Sequence, residues 1–125
     1  MTIAFWCVLF GGLLPVAVVF IAKADDRLDV HNPRDVHLSQ TGLRKRAYGA
    51  HLNGNEALPL FAAAVLATTV QVGPSALLNA MAAAWLIVRL AYTAVYLLDF
   101  ARIRPSLWAL SVLLSAATFL IPVWR

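Results

Sequence analysis

The sequence predicts an all-α integral membrane protein: one domain over residues 1–125, built as a bundle of four transmembrane helices. Two observations carry this. Only 13% of the residues are charged and 62% are hydrophobic, against roughly a quarter charged in ordinary soluble domains. Such a chain lacks the polar side chains to cover a surface in water. Its apolar residues also fall into four runs, each near the roughly 20 residues that a helix needs to cross a bilayer. No strand alternation and no internal repeat is present.

The first span runs from about Ile3 to Ala22. Ala22-Lys23-Ala24 resembles a signal-peptidase site, but no positive charge stands between Met1 and the apolar run, and the run outlasts a signal core. It is therefore read as a retained helix. Residues 23–40 follow as a solvated, charged loop. Its histidines and carboxylates lack the spacing of a metal motif, so no metal is expected. The second span covers about 41–72, a polar helical lead-in followed by an apolar part from Ala57 to Val72. Gly73-Pro74 makes a tight turn into the third span, about 74–98, so the two form an antiparallel hairpin. The fourth covers about 106–124 and is introduced by Arg104-Pro105-Ser106, with proline suited to a first helical turn.

Charge asymmetry sets the expected orientation. Six of the ten Lys and Arg residues lie between Lys23 and Arg46, and Arg102 and Arg104 lie between the third and fourth spans. Both basic loops are expected in the cytoplasm, with both termini on the other side. A nucleic-acid partner is excluded, because a duplex-binding surface needs a solvated basic face. The single cysteine, Cys7, permits neither an intrachain disulfide nor a cysteine metal cluster.

Charges inside the spans are the functional signal. Arg89 stands in Leu86-Ile87-Val88-Arg89-Leu90-Ala91. An arginine at a span's centre costs about 2.5–3.5 kcal/mol on insertion scales, and such residues usually face a bundle interior or a cavity. Arg89 is ten residues from Asp99, and Glu56 is ten residues from Arg46, each about 15 Å along a helix axis. The spans run antiparallel, so the two charges sit at similar depth. Arg46, Gly49, Asn53, Glu56 and Leu60 share one helical stripe; Trp85, Arg89, Tyr92, Tyr96 and Asp99 share another. His51 lies off the first stripe. Two polar stripes at one depth imply a polar cleft open to the cytoplasm, although a purely structural Glu56–Arg89 ion pair would explain part of the pattern. The fourth helix would add its N-terminal N–H groups and the Ser106 hydroxyl, which favour anions.

The segment Arg44 to Phe61, with Arg46, Ala50-His51, Asn53, Glu56, Pro59 and Phe61, resembles the signature of the MAPEG family, the membrane-associated proteins in eicosanoid and glutathione metabolism. Asn32-Pro33-Arg34 and Ala62 to Leu66 are similar to its bacterial branch, and Arg89, Tyr96 and Arg104-Pro105-Ser106 resemble the rest of the pattern. The resemblance implies a left-handed bundle assembled as a homotrimer in a bacterial inner membrane, in contact with membrane lipids. It implies an enzyme, a glutathione-dependent transferase or peroxidase that detoxifies lipophilic small-molecule electrophiles. The alternative is a non-catalytic membrane protein that binds a lipid or thiol ligand. Glutathione, as cosubstrate, would be held between subunits by Arg46, Asn53, Glu56, Arg89, Tyr92 and Tyr96, with Ser106 and Arg104 as catalytic residues favouring the thiolate. Two positions depart from the pattern: Gly49 stands where members often carry a further arginine, and Pro105 separates the arginine from the serine.

Overall fold

The computed structural model describes residues 1–125. The helices are α1 (Ile3–Lys23), α2 (Pro33–Ser39), α3 (Gly42–Val72), α4 (Ala76–Leu97) and α5 (Arg104–Phe119), followed by a 3-10 turn at Ile121–Val123. The four long helices, the last counted through Val123, are each long and apolar enough to cross a membrane. The protein is therefore a multi-pass membrane protein in contact with lipid.

Local chemistry accounts for the boundaries. The Thr2 side chain accepts from Phe5 N at the start of α1, and Asn79 Oδ1 accepts from Ala4 N at 3.0 Å. In lipid an unpaired N–H costs several kcal/mol, so a cap lent by a neighbouring helix is a substantial anchor. Gly73, at φ 77°, closes α3, a conformation that glycine adopts without Cβ strain. Ser75 rather than Pro74 opens the next helix, its Oγ accepting from Leu78 N at 3.1 Å. Asp99, at φ 64°, ends α4, and Pro122 tightens the chain end into the 3-10 turn.

The long helices alternate in direction. α1 packs along α3 and α4, and α5 closes the other side against the same two helices. At the end bearing the chain termini, Phe61 and Trp85 stack with centroids 3.7 Å apart amid Ala4, Cys7, Val65, Leu78, Ala82 and Ile121. Gly11 lets α1 approach: a Cβ there would stand 2.7 Å from the Trp85 ring, the small-residue contact by which membrane helices pack closely. A Thr68 hydroxyl donating to Thr118 O at 2.7 Å ties α3 to α5. At the basic end, Val18, Ala22, Ala47 and Ala50 form a smaller cluster. The outer faces are apolar, with Phe10, Phe20, Val70, Ile87 and Leu113 exposed.

The 23–40 segment is mostly exposed, but it is not a plain loop: it contains α2 and buries Asp25, His37 and Gln40. Asp25 accepts from Arg27 N, Nε and Nη2 and from Gln40 Nε2, at 2.9–3.2 Å. Gln40 Nε2 also donates to Ala22 O at 2.8 Å, and its Oε1 meets His37 Nδ1 at 2.9 Å. His37 stacks on Tyr48 with centroids 4.4 Å apart. The Arg27 hydrogen bond, with help from Gln40, holds the Asp25 carboxyl well below the usual carboxylate range, and Asp25 raises Arg27 in return. A seven-residue helix is too short to show a hydrophobic period. The partners that make burial tolerable lie up to 18 residues away, beyond what local pattern reveals.

Candidate functional site

Near the basic end, α3, α4 and α5 enclose an open cleft of about 470 Å³. α3 supplies Gly49, Leu52, Asn53 and Glu56; α4 supplies Tyr92 and Tyr96; α5 supplies Arg104, Pro105 and Trp108. α3 is 31 residues long, about 46 Å against a hydrocarbon core of about 30 Å. Counting about 20 residues back from Val72 puts the membrane boundary near Asn53. By that count the cleft lies near the basic end of the apolar part of α3.

An alternating stack of cations and rings runs from its wall into the bundle. The Arg104 guanidinium lies 4.2 Å from the Tyr96 ring centroid. Tyr96 meets Tyr92 edge-on at 5.8 Å, and the Arg89 guanidinium lies 4.3 Å from the Tyr92 centroid. Gly49 makes room for this. A Cβ at that position would stand 2.8 Å from Tyr96 Cζ, so the ring rests on the helix backbone. The Tyr96 ring therefore fills the space that a side chain at position 49 would need.

Arg89 is behind the wall rather than in it, only 2% exposed. Its Nη2 donates to Asn53 Oδ1 at 2.7 Å. Arginine only donates, so Asn53 must turn its oxygen inward, which frees its amide N–H groups for the cleft. The Arg89 Nη1 is buried and finds no hydrogen-bond partner in the protein. The ion pairs of the chain are Arg27–Asp25 and Arg44–Asp25; a Glu56–Arg89 pair does not form. Equal depth brought the two charges level without bringing them together. Glu56 is exposed in the cleft.

Five of the eight residues singled out in the sequence thus line the cleft: Asn53, Glu56, Tyr92, Tyr96 and Arg104. Three do not. Arg89 supports the wall. Arg46 uses its Nε to cap Leu97 O at 3.1 Å, at the end of α4. Ser106 is exposed and off the wall, because one residue turns a helix by about 100°. Leu52, Pro105 and Trp108 are wall residues that the sequence reading did not assign. Trp108 follows Arg104 by four, the one-face spacing that could have found it. His51, off the polar stripe, bonds Pro15 O at 2.7 Å through Nδ1 and so joins α3 to α1.

The fold, the paired tyrosines and the polar stripe of α3 meet an independent finding. A model of the MAPEG family matches residues 3–124. The chain belongs to the MAPEG family. No curated protein and no solved structure matches it. Membership sets this MAPEG protein among membrane proteins of glutathione-related or eicosanoid metabolism. Within it, Asn53 and Glu56 are the residues of the α3 signature that reach the cleft, while Arg46 and His51 tie α3 to its neighbours.

Proposed function

We propose that this MAPEG protein is a membrane-bound, glutathione-dependent transferase or peroxidase acting on lipophilic electrophiles. The observation that carries the reading is a cleft with an unpaired carboxylate, Glu56, facing donors from Arg104 and Asn53, backed by the buried charge of Arg89. Glutathione has two carboxylates, one ammonium and a thiol. Glu56 suits the ammonium; Asn53 and Arg104 suit anionic groups. Tyr92 and Tyr96 add hydroxyls and stacking surface.

The chemistry follows from the thiol. A free thiol has a pKa of about 8.5, and a neighbouring cation lowers it. Arg104 stands in the first turn of α5, where the positive end of the helix dipole also favours an anion, although Ser106 N and Leu107 N already donate to Ile103 O. In conjugation the thiolate sulfur bonds the electrophilic carbon, the leaving group departs with its electron pair, and the thiol proton goes to solvent. In peroxidase turnover two glutathiones are oxidised to the disulfide while a hydroperoxide is reduced to alcohol and water. Ser106 would assist only from a neighbouring copy. A homotrimer with the cleft at the subunit boundary is part of the proposal, supported by the exposure of Glu56 and Leu60 in the single chain. The proposed orientation puts the basic end in the cytoplasm of a bacterial inner membrane, with both termini outside.

The position of Ser106, off the cleft wall, favours one second reading: a MAPEG protein that binds a thiol or lipid without turnover. The test is glutathione added to detergent-purified protein, with and without chlorodinitrobenzene. The proposal expects a rise in Tm, saturable conjugate formation, and loss of both in Glu56→Ala by at least about tenfold. A rise in Tm without turnover selects the binding reading. Neither effect rejects both.

A further inference from the structure

A second cavity, of about 500 Å³, opens on the other flank of α3, where α1 and α2 pack against it. Its size falls within the roughly 300–1,000 Å³ of ligand sites. α1 supplies Lys23, α2 supplies Arg34 and His37, and α3 supplies Tyr48, His51 and Asn55. Leu52 is the one residue it shares with the Glu56 cleft, and nothing in the proposed glutathione chemistry uses it. The cavity lies at the edge of the apolar layer. α1 is 21 residues long, about 31 Å against a hydrocarbon core of about 30 Å, which puts Lys23 at the boundary. Asn55 stands two residues from the same boundary on α3. Val19 adds an apolar surface one turn deeper than Lys23.

Both cations of this cavity are unspent. The ion pairs of the chain join Asp25 to Arg27 and Arg44, and neither Lys23 nor Arg34 takes part. The 23–40 segment carries Asp25, Asp26, Asp29 and Asp35, yet no carboxylate lines the cavity. Its rear wall is set by hydrogen bonds whose direction is forced. Pro15 O can only accept, so His51 carries a proton on Nδ1. His51 Nε2 then accepts, so Asn55 gives it one amide N–H at 3.3 Å and keeps a second N–H free. Gln40 Nε2 donates to Ala22 O and Asp25 Oδ2, so its Oε1 accepts from His37 Nδ1. His37, 3% exposed, stacks on Tyr48, and Tyr48 stacks on His51, with centroids 4.4 and 6.2 Å apart. The two cations therefore stand before a fixed wall.

We propose that this cavity binds the phosphate of an anionic membrane lipid. Lys23 and Arg34 take the phosphate oxygens, and the Arg34 fork can hold two of them at once. The free Asn55 N–H and the Tyr48 hydroxyl add donors. A zwitterionic headgroup brings a cation of its own, and the cavity has no carboxylate to receive it. Two features favour a lipid over a free phosphate. The cations stand at the bilayer edge, where basic pockets between spans hold anionic headgroups. The same helix faces also continue into the apolar layer: Val16, three residues before Val19, and Pro59, four after Asn55, are both exposed. An acyl chain lies along that surface. The proposal is independent of the glutathione reading.

The test titrates dioctanoyl phosphatidylglycerol, dioctanoyl phosphatidylcholine and glycerol phosphate separately into detergent-purified protein while Tm is followed. Phosphatidylglycerol should raise Tm saturably; the other two should not at the same concentrations. Lys23→Gln and Arg34→Gln should each weaken phosphatidylglycerol about fivefold, and together roughly 25-fold, the effect expected of a basic residue at an anionic headgroup. Arg34→Lys should retain most of the binding. Lys45→Gln removes an exposed charge at the same end but outside the cavity, and it should change the midpoint by less than about twofold, since exposed charges are screened. Any glutathione-induced shift in Tm should be the same in all four variants. An equal shift with phosphatidylcholine would overturn the proposal by making the effect one of acyl chains alone. An equal shift with glycerol phosphate would overturn it by making the occupant a soluble anion. A loss in Lys45→Gln as large as in Arg34→Gln would overturn it by making the attraction diffuse. If Arg34→Gln weakens glutathione while lipid binding holds, this face serves the cleft of a neighbouring copy and the proposal also falls.

Discussion

Two polar clusters sit at the basic end of this bundle, and they are built on opposite terms. In the first, around Asp25, each buried polar group has a partner. The carboxylate accepts four hydrogen bonds, Gln40 links it to Ala22 O, and His37 is held between Gln40 and Tyr48. In the second, around Glu56, the charges are left open. Glu56 has no cation within ion-pair distance, Arg89 Nη1 has no partner, and Arg104 lies on a ring rather than against a carboxylate. A charge at the edge of lipid is costly unless it is paired. The first cluster meets that cost internally and so closes a loop. The second leaves it unmet within the single chain.

The largest effect should come from Arg89. In Arg89→Met an unpaired buried cation is replaced by an apolar chain of similar length. Tm should hold or rise without ligand, while glutathione affinity falls by roughly 10–100-fold as Asn53 loses its orienting donor. A fall in Tm with affinity intact would mean that Arg89 is structural, and the contrast between the clusters would collapse. Arg104→Ala should come next. The bound thiol should return toward the free value of about 8.5, so thiolate absorbance at neutral pH is lost and turnover drops about tenfold. Gly49→Ala should be milder. The added Cβ displaces the end of the Tyr96 side chain and loosens the Arg104 stack, for a loss of about threefold in turnover at unchanged Tm, consistent with the modest worth of one cation–π contact.

Asp25→Asn should leave glutathione affinity untouched and lower Tm, the inverse of Arg89→Met. Its pH dependence has a definite sign. The folded-state pKa of Asp25 is depressed, so its contribution is complete above the unfolded value of about 4 and is lost as pH falls below that toward the folded value. Wild type should therefore lose Tm on acidification in that window more steeply than Asp25→Asn. Parallel acid profiles would show that Asp25 contributes nothing.

The four spans, the Gly73 turn and the proline-led start of α5 were legible because each depends on local composition and period. Asn53 and Glu56 were legible because one stripe of α3 carries both, and Tyr92 and Tyr96 because one stripe of α4 does; Arg104 came from the family resemblance alone. What the sequence withheld depends on partners in space. Arg89 shares the stripe yet sits behind the wall, since Tyr92 covers it and Asn53 turns to meet it. Arg46 shares the stripe yet serves the end of α4, because Leu97 O lies within its reach. Ser106 follows Arg104 closely in sequence but about 200° away around the helix. The Asp25 anchor joins residues whose spacing follows no period.

The proposed function requires the Glu56 cleft to bind glutathione as a thiolate. Titrating glutathione into purified protein at neutral pH, while following thiolate absorbance and Tm together, tests it most directly. Both should rise saturably with one midpoint, and both should be lost in Glu56→Ala while Asp25→Asn retains them. Flat absorbance and an unchanged Tm at saturating glutathione would contradict it.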